Sequence, residues 1–418
     1  TRNTSNNQRR GDGNMTKALE GIKVVEVGAA VAVPIVGMLM GSWGAEVIHV
    51  EPPENGDMQR VAGQRLSAWT QSSEINYLWE HVDRNKKSIC INLASPEGQQ
   101  IIQKLCAEAD VFLNNLRPYE MQKFNLSYEA ISARNPMIIY ANLTGYGLKG
   151  PEKNSGGYDS VAFWARSGVM EMMHDTDTSP NISRGAYGDS IASLSLLAGV
   201  MTALFARERS GIGQQVEVSL YNTAAWVLGF DITGCLVTGK DAPRPQRKSM
   251  ANPIRNHYPT KDNRWIMLGM TNAQTYWPEF CKAIDRPELQ NDPKFADFNA
   301  RQKNCVELVK IIEDIFRSKT YAEWLAHLRK FKLVWSPVVT PLEVTHDEQA
   351  IANDFFGEMD IAGHGKIKVL NNPIRLSKTP AGIQCRAPEL GEHTSGLLAK
   401  LGYGPEEVLR MKEAGVIS

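Results

Sequence analysis

A chain of 418 residues with 46 basic and 46 acidic side chains carries no net field to hold nucleic acid or an anionic membrane, so an anionic ligand must meet local basic groups. The length calls for two or three domains. No uninterrupted apolar run approaches the roughly 18 to 20 residues of a membrane span, and the basic-then-apolar order of a signal peptide is missing, which predicts a soluble cytoplasmic protein.

Residues 1–14 are polar and Asn/Arg/Gly-rich, and read as a disordered leader or expression remnant ahead of Met15. From Gly21 onward a β-rich run over 22–27, a helix-like run over 34–43 and a second apolar run over 46–50 make a βαβ unit. A strand over 88–92 then leads to Ser95-Pro96-Glu97, an N-cap, a proline at the first helical position and an acidic first turn, opening a helix to about residue 109. Strand-like 111–114, a further helical stretch and strand-like 137–143 continue the alternation. The predicted fold class is α/β, with a Rossmann-like open parallel sheet and helices on both faces. Ligands of such sheets sit beyond the carboxyl ends of the strands, so the candidate site walls are 27–30, 50–53, 92–94, 114–116 and 144–147.

A long apolar helix over 190–207 is stopped by Ser210-Gly211-Ile212-Gly213, with Arg207 and Arg209 at its negative end, and a strand over 215–219 follows. After the basic, proline-rich stretch 241–247, a strand over 265–269 and amphipathic helices around 277–284, 306–316 and 321–331 make a smaller α/β domain. Beyond Pro337 the chain is irregular, with short strand-like pieces such as 367–370 and a closing helix over 405–414. The layout expected is a large Rossmann-like domain over 15–225, a linker and small domain over 226–340, and a C-terminal segment over 341–418 returning to the large domain.

Cys90, Cys106, Cys235, Cys281, Cys305 and Cys385 lie far apart without ligand spacing, which predicts reduced, mostly buried thiols and no metal site. Gly145, Gly147 and Gly150 form a G-x-G-x-x-G after a strand, but Pro151 and the residues after it cannot open the required helix. A glycine turn that lets backbone approach a ligand is the better reading. No nucleophile elbow, Walker A or H-E-x-x-H is present. Gly188-Asp189-Ser190 places a carboxylate where a glycine turn enters the apolar helix, and the unpaired amides and positive helix end there favour an ionised Asp189. On that feature alone, an ordinary helix cap is the stronger interpretation.

Four stretches change the balance: Leu19-Glu20-Gly21-Ile22-Lys23-Val24 with Gly44-Ala45-Glu46-Val47-Ile48-His49-Val50-Glu51; Ser95-Pro96-Glu97-Gly98; Gly188-Asp189; and Arg386-Ala387-Pro388 with Leu390-Gly391-Glu392-His393-Thr394. On these the sequence resembles the family III CoA-transferases, the group of formyl-CoA, carnitine and aryl-lactate CoA-transferases, from about residue 19 to 416. The resemblance implies that Asp189, in Tyr187-Gly188-Asp189-Ser190, is a nucleophile carrying acyl and CoA groups covalently. It places CoA against Ala30, Val31 and Ala32, against Asn92, Leu93 and Ala94, against Asn115 and Leu116, and against Thr144, Gly145, Tyr146 and Gly147. Lys123 matches an arginine that meets the nucleotide phosphates, whereas Pro52 stands where another family cation sits, with Arg60 or Arg84 as replacements. Tyr158 and Met270 are the substrate-contact candidates.

The family's glycine-rich loop over the nucleophile has no counterpart, since the nearest segment is Gly269-Met270-Thr271-Asn272-Ala273, which argues against formyl-CoA transfer. Segments 143–151 and 157–169 most resemble transferases of aryl-lactates and 2-hydroxy acids, so the expected acceptor is a 2-hydroxy, aryl-substituted or carnitine-like acid. A related racemase branch, acting on α-methylacyl-CoA, puts a histidine where Tyr158 stands before Asp159, and tyrosine is a poor base for an α-proton. The other alternative is a non-catalytic nucleotide-binding α/β protein in which Asp189 only caps a helix. The resemblance implies CoA thioester as substrate, no permanently bound cofactor, and an interlocked homodimer whose C-terminal segment completes the large domain.

Overall fold

Six short runs, most of them buried on both faces, form one parallel sheet: β1 (Lys23–Val27), β2 (Glu46–Glu51), β3 (Lys87–Cys90), β4 (Val111–Asn114), β5 (Ile139–Thr144) and β6 (Gln214–Ser219). The computed structural model describes residues 17–61, 73–176, 178–244 and 246–418; the leader expected over 1–14 lies outside them. Strand order is β3-β2-β1-β4-β5-β6, in register Val24↔Val47 on one side of β1 and Val24↔Val111 on the other. The order reverses between β1 and β4, and the crevice beyond the carboxyl ends at that point is where an open α/β sheet takes its ligand.

Helices along this part of the chain include α1 (Ala32–Ser42), α2 (Tyr77–Asp83), α3 (Pro96–Ala107), α4 (Pro118–Lys123), α5 (Tyr128–Ser132), α6 (Tyr187–Ser210), α7 (Leu220–Val227) and α8 (Gly229–Thr238). α3 starts as its sequence dictates, with Ser95 Oγ accepting from the Gly98 amide at 2.9 Å. α6 opens earlier than its apolar pattern suggests, because its N-cap is Ala186, left-handed at φ 67°, so Asp189 is the third helical residue and not the cap. By length and composition α6 is apolar enough to cross a membrane. One face of it is buried, with Leu196, Leu197, Val200 and Ala203 covered and the helix packed on α1, β5 and β6, while Ile191, Leu194 and Phe205 are exposed.

The chain divides into two compact units. The first comprises Thr1–Val169, Ile182–Thr233 and Ile351–Ser418 and contains the parallel sheet. Its last segment covers the outer edge of β3: the Cys90 amide donates to Thr394 Oγ1 at 3.1 Å and the His393 amide to the Ser88 carbonyl at 3.0 Å. Leu397, Leu398, Met411, Val416 and Ile417 enter the same hydrophobic cluster as Ile89 and Ile101.

The second unit comprises Met170–Asn181 and Gly234–Ala350. It has a three-stranded antiparallel sheet of His257–Pro259, Trp265–Leu268 and Trp335–Pro337, packed on helices around Trp277, Phe280, Phe316 and Trp324, with Phe316 stacked on Trp324 at 4.6 Å. The inclusion of Met170–Asn181 departs from the layout read in the sequence. Its ties are polar and 70 or more residues apart, with Gln246 Nε2 donating to Thr176 Oγ1 at 2.9 Å and Arg244 Nε 3.4 Å from Glu171. Apolar periodicity carries no trace of such contacts.

Candidate active site

Two cavities lie along the carboxyl ends of the strands in the first unit. One, of about 460 Å³, is lined by residues after β1, β2, β3 and β4, including Asn92, Leu93, Ala94, Asn115, Leu116 and Lys123. The other, of about 330 Å³, is lined by Ala30, Val31, Ala32, Thr144, Gly145, Tyr146, Tyr158 and Asp189. Ala29, Met58, Asn115 and Leu116 belong to both linings, so the two form one bent groove.

Asp189 sits in the first turn of α6, held there by a crowded junction. A Cβ on Gly188 would come within 2.2 Å of both Asp159 Oδ1 and the Phe163 ring, so only glycine lets the helix start against Asp159. Asp159 opens a seven-residue π-helix, Asp159–Ala165, in which the Arg166 amide reaches back to the Val161 carbonyl at 3.0 Å. The amides of Gly188, Asp189 and Ala186 and the Trp164 indole face the Asp159 carboxylate and pull its pKa down, yet burial, the largest influence, leaves it raised. None of these donors closes to a well-formed hydrogen bond, leaving both Asp159 oxygens and Trp164 Nε1 unpartnered. The carboxyl that the opening amides of α6 face is therefore that of Asp159, supplied from a distant turn.

Asp189 itself behaves differently from the sequence expectation of a readily ionised carboxylate. Burial first, and then the charge of Asp159, push its carboxyl up to about 7. The helix end does not offset this, because its amides are turned toward Asp159.

Among the described residues, three lysine and arginine side chains line the groove. Lys123 lines the first cavity, and Arg117 and Lys153 line the second. Arg117 was not singled out in the sequence, although Pro118 behind it and Glu120 three residues on mark a helix start. Its Nε and Nη2 donate to Glu120 at 3.0 and 2.7 Å, and Nη2 also donates to Tyr119 Oη at 2.6 Å. The two arginines expected to replace the charge missing at Pro52 are both committed elsewhere, which corrects that expectation. Arg60 grips Glu51 at 2.6 and 2.7 Å and lies 4.0 Å over the Trp79 ring. Arg84 donates to the carbonyls of Glu80, His81 and Leu370.

Two further expectations shift. Met270 is fully buried in the core of the second unit, with its amide on Ile254 O and its carbonyl accepting from Asn252, so its side chain is not a free substrate contact. Gly145 is demanded by the chain itself: a Cβ there would meet the Gly157 backbone at 2.5 Å. Gly147, left-handed at φ 96°, donates its amide to Thr144 Oγ1 at 2.8 Å. Tyr158 is exposed at the mouth of the second cavity.

Beneath the first cavity lies a buried ion network. Lys86 Nζ donates to Glu26 Oε1 and Asp83 Oδ1, both at 2.7 Å, and His49 Nδ1 is 2.6 Å from the same Glu26 oxygen. Burial opposes charge on His49, but Asp83 and Glu26 outweigh it and lift the imidazole to about 9. Glu26, His49 and Asp83 bring ligand atoms within 4.8 Å of one another. The Lys86 ammonium bridges the two carboxylates, so these atoms are already spent on a buried cation. No disulfide joins the described cysteines, and burial pushes the Cys281 thiol up to about 12, far from nucleophilic use.

The profile of CoA-transferase family III matches residues 19–394. The (R)-2-hydroxy-4-methylpentanoate CoA-transferase of Clostridioides difficile is 34% identical over 399 residues, spanning 96% of this chain and 99% of that protein. The cinnamoyl-CoA:phenyllactate CoA-transferase of Clostridium sporogenes is 30% identical over 96% of this chain and 97% of its own. Among solved structures, a CAIB/BAIF family protein from Brucella suis superposes with a TM-score of 0.79 at 28% identity, covering 92% of this chain and all of that one. With its groove at the switch point of a parallel sheet and similarity along nearly its whole length, the chain belongs to CoA-transferase family III.

Proposed function

We propose that the enzyme moves CoA from an acyl-CoA donor to a 2-hydroxy or aryl-substituted carboxylic acid, with Asp189 as the covalent carrier. The observation that carries this reading is the position of Asp189, which lines the end of a groove running on past Asn115 and Leu116 to Lys123. The acceptor class is supported by relatives named for 2-hydroxy-4-methylpentanoate and phenyllactate.

In this reading the nucleotide end of CoA occupies the first cavity near Lys123, and the pantetheine arm crosses the shared wall to bring the thioester to Asp189. The ionised carboxylate attacks the thioester carbonyl, breaking the C–S bond to give a mixed anhydride and CoA thiolate. The thiolate then attacks the Asp189 carbonyl, releasing the donor acid and leaving an aspartyl-CoA thioester. The acceptor carboxylate attacks that thioester, forming a second anhydride and freeing the thiolate again. Attack of the thiolate on the acceptor's acyl carbon yields the new acyl-CoA and returns Asp189 as a carboxylate. No proton need move and no metal is called on.

The test is a panel of acyl-CoA donors against carboxylate acceptors, read by mass spectrometry, with 2-hydroxy acids expected to acquire CoA. Failure of every acceptor would remove the reading; uptake of deuterium at the α-carbon without CoA exchange would put a racemase in its place.

The reaction needs Asp189 ionised, so with its carboxyl raised to about 7 the rate should fall as pH drops through that value. Asp159→Asn removes the neighbouring negative charge and should move this acid limb to lower pH. A pH profile of kcat for both proteins checks the direction; a limb that stays in place would dissociate the two carboxylates.

We further propose that the enzyme is an interlocked homodimer. In support, Trp226 and Phe230 on α7 and α8 are 86% and 99% exposed, with Val227 and, on α6, Phe205 also uncovered, an apolar surface that a second copy would bury. Light scattering at micromolar concentration should return twice the chain mass, and a monomer mass would refute the assembly.

A further inference from the structure

The loop between β1 and α1 contributes Ala30, Val31 and Ala32 to the wall of the Asp189 cavity. It does so in a sterically unfavourable shape, because Ala30 is left-handed at φ 70° although it carries a Cβ. Such a residue persists only where its surroundings hold it. The holding group is a carboxylate from the neighbouring cavity: the Ala30 amide donates to Asp57 Oδ1 and Oδ2 at 3.3 and 3.1 Å.

Asp57 is itself fixed from several sides. Its Oδ1 accepts from the Gln59 amide at 2.7 Å, and its own amide donates to Glu51 Oε2 at 2.9 Å. His49 Nε2 lies 3.7 Å from Oδ2, while the other face of that ring is held by Glu26. Glu51 is in turn anchored by Arg60 and by Ser88 Oγ. The carboxylate is thus a buried, fixed point under the first cavity, which Asp57 also lines.

From the same loop the connection continues toward the nucleophile. The Ala32 carbonyl accepts from Ser193 Oγ at 2.6 Å, and that hydroxyl is equally close, 2.6 Å, to the Asp189 carbonyl one turn earlier in α6. Ala29, next to Ala30, is clipped to Asn115 in both directions, at 3.2 and 2.8 Å, and both line the two cavities. A continuous set of contacts therefore joins Asp57, the loop, Ser193 and the backbone of Asp189.

We infer that Asp57 is a positioning residue for CoA transfer, holding the strained β1–α1 loop so that the wall of the acyl-transfer cavity and the first turn of α6 keep their places relative to the thioester. The inference rests on the function proposed above. It assigns Asp57 no contact with the reacting atoms; its effect passes through Ala30 and Ser193. A group that acts in this way should change turnover more than affinity, since a displaced wall misaligns the bound thioester while leaving the nucleotide contacts around Lys123 in place.

The experiment uses the full chain and a donor and acceptor pair that the parent turns over, with free CoA binding followed by calorimetry as a readout independent of turnover. If the parent turns over no pair, the functional reading has failed and not this inference. With an active parent, Asp57→Ala should lose about 20-fold in kcat at saturating acyl-CoA while KM and CoA affinity change less than about threefold. Asp57→Asn keeps an oxygen that can accept from the Ala30 amide and should recover most of that loss. Parental kcat in Asp57→Ala, or a loss confined to KM and CoA affinity, would overturn the assignment. So would equal losses in the Ala and Asn variants accompanied by equal falls in thermal stability. Should Asp57→Ala not fold, Ser193→Ala carries the test: a kcat at least about fivefold lower at unchanged KM supports the route, and parental kcat overturns it.

Discussion

Asp189→Asn should lower CoA transfer by about 10,000-fold while leaving the protein folded and able to bind CoA. The amide has the shape of the carboxylate but cannot attack a thioester, and Glu120, another carboxylate lining that cavity, is engaged by Arg117. Among the described residues the Asp189 carboxylate meets no cation and accepts no hydrogen bond, so the substitution breaks no structural contact. It should even stabilise. The folded carboxyl titrates at about 7, above the ordinary range near 4 of an unfolded chain, so its stabilising contribution is present at low pH and is lost as pH rises through 7. Asn escapes that loss, and its advantage in thermal unfolding should be visible at about pH 8 and vanish on acidification toward about pH 4. Hydroxylamine trapping gives the decisive readout: parent protein incubated with acyl-CoA should yield a hydroxamate at Asp189 and the Asn variant none. Transfer within about tenfold of the parent would end the covalent reading.

Lys86→Met should cost about 3 to 5 kcal/mol of folding stability, with no direct part in chemistry. The parent network holds two buried cations, Lys86 and His49, against Glu26 and Asp83, and Gly37 makes room for it, since a Cβ there would stand 1.9 Å from Glu26 Oε2. Removing the ammonium leaves two buried carboxylates with one imidazolium. One carboxyl will then take up a proton in the folded state that the unfolded chain does not hold at neutral pH. Its folded pKa is raised, so stability of the variant should recover as pH falls and decline as pH rises through that pKa. Urea unfolding at about pH 5.5 and 8 measures both the loss and its slope. A loss below about 1 kcal/mol at the higher pH would mean that the network contributes little.

Much of this architecture was legible because its signals are local. Strands buried on both faces read as apolar runs, Ser95-Pro96-Glu97 announces α3 on its own, and the strand ends named in advance are those that line the groove. Features decided by distant partners were not. The start of α6 depends on Asp159, a residue from another turn, so Asp189 looked like a cap when Ala186 occupies that position. The raised pKa of Asp189 needs its burial and that same neighbour, and neither shows in spacing. Arg60 and Arg84 read as spare cations because their acceptors, a buried Glu51 and a set of backbone carbonyls, are assembled only by folding. Met270 read as a loop residue near substrate, and the packing of the second unit takes it inside instead.

The cover on the outer edge of β3 has a kinetic consequence. Cys90 and Thr394 are 304 positions apart, so this seam cannot close until a very long stretch of chain has been threaded into place. Until then one margin of the sheet presents open amides and carbonyls, with Ile89 and Ile91 beside them, as a template for wrong pairing. Refolding from denaturant should accordingly show a slow phase in which the sheet has formed but the seam along β3 has not closed, and yield should depend on protein concentration and on the help of chaperones.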